Sequence, residues 1–189
     1  MEKRHRIFIA INLPEEIRRE LKKYELRWSE LPAKWTSKDN LHITLEFLGN
    51  LTDEEIGHVC FVVKEVARLH LSFAIDLKKV IYGPIDKFPP RMVWVEGEKS
   101  KELSALKTSL QNKLLEKVRF RPEERVFSPH ITLARISEWE FKKMEPEEIP
   151  EINENIDLTF SVESIEVMES EIKKGVPQYT ILESHNLRN

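Results

Sequence analysis

The string His-Ile-Thr-Leu occurs twice in this chain, at His42-Ile43-Thr44-Leu45 and at His130-Ile131-Thr132-Leu133. On a β-strand, two-residue spacing puts the histidine and threonine on one face and the Ile and Leu on the other. Two such strands can present two imidazoles and two hydroxyls to a shared cleft while their apolar residues anchor them in a core. Imidazole titrates near neutrality, so one ring can accept a proton while the other donates one. Threonine hydroxyls can donate hydrogen bonds to oxygens that hold negative charge through a transition state. Together these groups suit general acid–base chemistry on a small anion.

A single His-x-Thr-Leu is expected by chance in roughly one chain in fifty, and two in one chain far more rarely. A lone strand histidine is more often a satisfied structural residue, and the second copy reverses that judgement. The similarity extends past the motifs. Thr52 is followed by Glu55, and Ser137 by Glu140, each the hydroxyl-then-Glu pattern of a capping box. Strand, polar pair and capped helix thus recur as a unit, 130 − 42 = 88 residues apart. Two histidines with no third ligand at suitable spacing make a poor zinc site, so neither a metal nor a cofactor is expected.

The elements that must position these groups follow from periodicity. Residues 7–11 form a short apolar run that reads as a buried strand, and Pro14 opens a helix whose stripe Ile17, Leu21, Tyr24, Trp28 and Leu31 ends at Pro32. The first motif strand spans 41–48 and is closed by Gly49-Asn50. Ile56, Val59, Cys60, Val63, Val66 and Ala67 line the next helix. Strands are predicted over 73–82 and 92–95, then a helix capped by Ser100 with Leu103, Leu106, Leu110, Leu114 and Val118 inside. The second motif strand covers 127–136. Residues 145–155, rich in glutamate with Pro146 and Pro150, read as a solvated loop, and closing strands are predicted over 156–168 and 179–182. Short connections favour antiparallel pairing. The expected fold is α+β: one domain over 1–189, built as two similar lobes of antiparallel sheet with helices on the outer faces and a central cleft.

At 189 residues, 40% apolar and 33% charged, the chain can bury a sizeable core. No apolar run approaches a membrane span, Met1 to Arg6 lead into a strand rather than a signal-peptide core, and Cys60 is alone. A cytoplasmic monomer without membrane contact is expected, with Cys60 a buried thiol. The net charge of −3 argues against a general nucleic-acid coat protein but allows binding of a nucleic-acid end, where a few local cations suffice. Abundant lysine, arginine and glutamate, with only Gln111 and Gln178 for glutamine, resemble proteins from hot environments.

The motifs resemble the two-histidine phosphoesterase superfamily, and specifically the RNA 2′,3′-cyclic phosphodiesterases, also called 2′-5′ RNA ligases. The matching stretches begin at Arg6-Ile7-Phe8-Ile9-Ala10-Ile11-Asn12-Leu13-Pro14 and at Asn40 to Gly49 around the first motif. They continue with Arg91-Met92-Val93-Trp94-Val95 and Ser128-Pro129-His130-Ile131-Thr132-Leu133-Ala134-Arg135. The resemblance implies two pseudo-symmetric lobes and opening of an RNA-terminal 2′,3′-cyclic phosphate to a 2′-phosphate, without metal. It implies His42 as proton donor to the leaving 3′-oxygen, His130 as acceptor from water, and Thr44 and Thr132 as phosphate donors. ATP-independent joining of RNA ends through a 2′-5′ bond is implied at the same site. Partners would be RNA ends or nucleotides bearing the cyclic phosphate, tRNA fragments among them.

Other candidates are Arg135 as a phosphate clamp, matching an arginine after the family's second motif, and Phe8 and Trp94 as stacking platforms or core. Arg91, Lys34 and Lys38 are candidates for the RNA backbone; His5, His58, His70 and His185 are assigned no role. Three alternatives stay open: hydrolysis of a small nucleotide such as ADP-ribose 1″,2″-cyclic phosphate, a nucleotide-binding module without turnover, and two ordinary core strands with no cleft.

Overall fold

Period-two alternation of branched aliphatics gives strands that pair into one antiparallel sheet, and the helices cover its apolar face. The computed structural model describes residues 3–123, 125–173 and 175–189; Met1, Glu2, Glu124 and Lys174 lie outside the described residues. In chain order the elements are β1 (His5–Asn12), α1 (Glu15–Lys22), α2 (Tyr24–Arg27), β2 (Ala33–Trp35), β3 (His42–Leu51) and α3 (Asp53–Ala67). There follow β4 (Phe73–Gly83), β5 (Met92–Gly97), α4 (Lys101–Lys117), β6 (His130–Ile136), α5 (Glu138–Phe141), β7 (Asn153–Val162), β8 (Ser164–Lys173) and β9 (Val176–Asn186).

The strand order is β7-β4-β5-β6-β3-β1-β8-β9, with β2 paired to β6. The two motif strands lie at the centre, and each is followed outward by three strands. The sequence halves exchange partners: β4, which follows α3, pairs with β5, while C-terminal β8 returns to pair with β1. One apolar cluster joins Ile7, Ile9, Ile43, Leu45, Ile131 and Leu133 to Val59, Val63, Leu103, Leu106 and Leu110 of the helices. The α+β architecture, an antiparallel sheet with helices, matches the expectation.

Several local readings differ. The helix predicted over 14–32 breaks at Lys23 into α1 and α2. Strand β3 does not stop at Gly49 but runs to Leu51; Gly49 takes φ +79° inside a bulge opposite β1, a conformation that glycine adopts without strain. The capping box at Thr52 and Glu55 forms, with bonds of 2.8 and 3.3 Å, and Ser100 caps α4. Ser137 stands at the start of α5 but makes no side-chain cap bond. The single strand expected over 156–168 is two, split at Glu163, and the loop over 145–155 contains a short 3-10 turn and the start of β7. Cys60 is buried in α3, and burial pushes its thiol up to about 11. No helix among the described residues is long and apolar enough to cross a membrane.

Candidate active site

Strands β3 and β6 meet at one matched pair, Ile43 opposite Ile131, both fully buried. In antiparallel register, this pair sets His42 level with Thr132 and Thr44 level with His130. All four are half-buried on the sheet face away from the helices, while their aliphatic neighbours fill the core.

The two imidazoles are held alike. His42 Nδ1 lies 2.7 Å from the carbonyl oxygen of Asn40, and His130 Nδ1 lies 2.8 Å from that of Ser128, in each case two residues upstream. A carbonyl can only accept, so Nδ1 carries the hydrogen in both rings and Nε2 is left for chemistry. His42 Nε2 is 3.0 Å from the Thr44 hydroxyl. Burial lowers the pKa of both rings, the carbonyl bonds oppose that, and nearby cations lower it further. For His42 the neighbouring charges are His130 and Arg135; for His130 they are Arg125 and Arg135, with Glu96 acting the other way.

Aromatic side chains bracket each ring. Phe8 lies 5.1 Å from His42 and Tyr179 5.2 Å from it by ring centroids, the latter ring perpendicular to the imidazole at 89°. Trp94 stacks on His130 at 4.0 Å and 27°. Phe8 is 2% exposed, too little to carry a stacked base, so the expectation of a Phe8 platform is corrected to a support beneath His42. Trp94 is held on its other side by Gly83, where an added Cβ would stand 2.3 Å from the indole. Its half-buried indole lies against the His130 imidazole.

Arg135 reaches the site by a device that alternation alone misses. An odd spacing of five from His130 should put it on the opposite face. A register shift between Val93 and Trp94 buries both Leu133 and Ala134 and returns Arg135 to the histidine side, where its charge acts on both rings. The matching shift between Ile9 and Ala10 buries Leu45 and Glu46 and brings Phe47, five residues past His42, to the same face. Phe47 is 60% exposed and 5.9 Å from Phe8. Together with Glu46, Arg121, Pro122 and Glu123 it borders a cavity of about 290 Å³. Sequence reasoning passed over Phe47, although the equal five-residue offset from each histidine was there to be seen.

The remaining candidates are not gathered here. Arg91 is exposed on the other strand parity and acts on Glu138 at the start of α5. Lys34 Nζ donates to the Gly175 carbonyl at 2.9 Å, and Lys38 pairs with Glu15 at 2.7 Å. Tyr179, near the start of β9, was also missed; its contact with His42 depends on a strand pairing that has no local signal.

Comparison with known proteins gives a consistent result. The sequence model of the family described as LigT like Phosphoesterase matches residues 9–94 and 95–177. A Thermus thermophilus protein named RNA 2′,3′-cyclic phosphodiesterase is 31% identical over 194 residues, covering 97% of this chain and 90% of its own length. One of the same name from Methanocaldococcus jannaschii is 28% identical over 181 residues, covering 94% and 98%. Among solved structures, a crystal structure from Thermus thermophilus aligns with TM-score 0.83 at 30% identity, covering 97% of this chain and 98% of that one. The apo form of E. coli LigT aligns with TM-score 0.79 at 25% identity, covering 99% of each chain.

Proposed function

The chain belongs to the LigT-like phosphoesterase family, and from that premise we propose that it hydrolyses RNA-terminal 2′,3′-cyclic phosphate to a 2′-phosphomonoester. One observation carries the reading: two imidazoles, each with Nδ1 committed to a carbonyl, flank a central strand junction lined by two threonines and an arginine. Each half of the sheet takes a strand from the other half of the chain, so the site is read as the product of one bilobal unit over 1–189.

Opening the strained ring needs a water in line with the leaving oxygen, a base and an acid. His130, neutral, takes the proton of the attacking water through Nε2. The new P–O bond forms as the P–O3′ bond breaks, and protonated His42 delivers its Nε2 proton to the 3′-oxygen. Thr44, Thr132 and Arg135 hold the non-bridging oxygens as charge shifts onto them. Exposed Phe47 offers its face to the base of the same nucleotide. With a 5′-hydroxyl in place of water, the same geometry joins two RNA ends through a 2′-5′ bond, and no ATP is consumed. RNA ends, tRNA fragments included, are the partners this reading requires.

The direct test incubates an oligonucleotide ending in 2′,3′-cyclic phosphate with the protein in EDTA and without ATP. The expected product carries a 2′-phosphate. A 3′-phosphate product would refute the His42 and His130 roles, and activity lost in EDTA and restored by a divalent ion would refute the metal-free mechanism. Faster turnover of ADP-ribose 1″,2″-cyclic phosphate than of the RNA end would favour the small-nucleotide alternative.

The pH dependence has a definite sign. His130 must be neutral, so activity rises as pH passes upward through its pKa; His42 must be protonated, so activity falls through the pKa of that ring. Burial lowers both. Both limbs of a kcat/KM profile, which reports the free enzyme, are therefore expected on the acid side of the ordinary histidine value of about 6.5. The limbs belong to the interacting pair rather than to single residues. A kcat/KM that still rises above pH 7 would contradict this arrangement.

A further inference from the structure

The two imidazoles share a backbone acceptor pattern but differ in how that acceptor is held. Ser128 sits exposed in the loop before β6. Asn40 closes a 3-10 turn, Lys38–Asn40, and its side chain reaches away from that turn. Its Nδ2 donates to the carbonyl of Pro177 at 2.9 Å, while its own carbonyl accepts from His42 Nδ1 at 2.7 Å. Pro177 belongs to the hairpin of β8 and β9, whose tip is also tied by Lys34 Nζ to the Gly175 carbonyl at 2.9 Å. Two residues beyond Pro177, Tyr179 packs its ring perpendicular to that of His42, with centroids 5.2 Å apart.

We propose that Asn40 is a positioning residue that locks the His42 imidazole, acting as a bracket between the ring and the C-terminal hairpin. The proposal rests on the reading of His42 as the proton donor. Phe8 and Tyr179 confine the ring from two sides, and the remaining freedom is rotation about the bond to the imidazole. The direction of the Asn40 carbonyl sets that rotation, and the bond to Pro177 sets the direction of the segment carrying it. With Nδ1 satisfied by a fixed acceptor, Nε2 aims at the Thr44 hydroxyl and the space where the leaving oxygen stands. The charged and titratable groups facing His42 are His130 and Arg135 from β6 and the Tyr179 phenol from β9. Asn12, opposite in β1, is neutral.

In Asn40→Ala, kcat should fall by about ten- to a hundred-fold while KM changes by less than about two-fold, because aim is lost rather than binding. The falling limb of the pH–rate profile should move to lower pH, since a loosened carbonyl no longer favours the protonated ring. Asn40→Asp keeps the size but cannot donate to Pro177. It should lose kcat as well, yet move that limb to higher pH through its added carboxylate. Nitrogen NMR of the His42 ring, recorded without substrate, supplies a readout independent of turnover. The single Nδ1–H tautomer of the neutral ring should become a mixture in both variants. Should the alanine variant not fold, the isosteric Asp variant carries the same measurement. An unchanged tautomer with unchanged kcat would overturn the bracket. A wild-type protein inert toward cyclic phosphate, with the tautomer change intact, would instead overturn the functional reading and leave the bracket standing.

Discussion

Alanine at His42 or at His130 is expected to lower turnover of cyclic-phosphate-ended RNA by roughly a thousand-fold, each alone. Proton transfer to the leaving oxygen and from the water occurs in one displacement, so losing one partner strands the other. For the same reason the double substitution should cost little more than the worse single one. The fold should survive. Ile43 and Ile131 anchor the strands from the opposite face, and each imidazole is half-buried, with a hydrogen bond to a carbonyl worth about 1 kcal/mol and aromatic contacts beside it. Circular dichroism and a thermal melt beside the activity assay separate the two effects. Either variant retaining a tenth of wild-type turnover, or unfolding outright, would refute the pair as acid and base and favour ordinary core strands.

Lys107→Met is expected to destabilise the protein by about 3–5 kcal/mol, read from urea unfolding. Glu46 is 3% exposed and is bonded by Lys107 Nζ from α4, itself 8% exposed. Removing the lysine takes away the cation that bonds this buried carboxylate. Replacing both, as Glu46→Leu with Lys107→Met, should recover most of the loss, because two apolar groups remove the charge together with its partner. A single-variant loss below about 1 kcal/mol would show that water reaches the carboxylate. The pair matters to the site because Glu46 is one of the two residues packed on the helix side by the bulge in β3, the same bulge that turns Phe47 toward the histidines. At the equivalent position of β6, 46 + 88 = 134, stands Ala134, fully buried and in need of no partner.

What could be read without coordinates was whatever depends on neighbours along the chain. Period-two alternation put His42 with Thr44 and His130 with Thr132 and assigned Ile43, Leu45, Ile131 and Leu133 to a core, because pleat geometry is local. Helical stripes and the Thr52 and Ser100 caps were legible for the same reason, and the repeat of one motif 88 residues later implied two similar halves. The roles of neighbouring aromatics were not legible. Phe8 and Trp94 occur in apolar strands, and only the cross-strand register shows that each lies against an imidazole.

Tertiary structure alone decided the rest. Arg135 and Phe47 sit at odd spacing from their histidines, and a β-bulge, which exists only against a paired strand, turns them to the working face. Strands β8 and β7 pair with β1 and β4 across separations far longer than any local preference. That pairing brings Pro177 and Tyr179 to Asn40 and His42. The chain by itself thus specified the reactive groups and the strands that bear them, whereas long-range pairing chose the surroundings that aim and tune those groups.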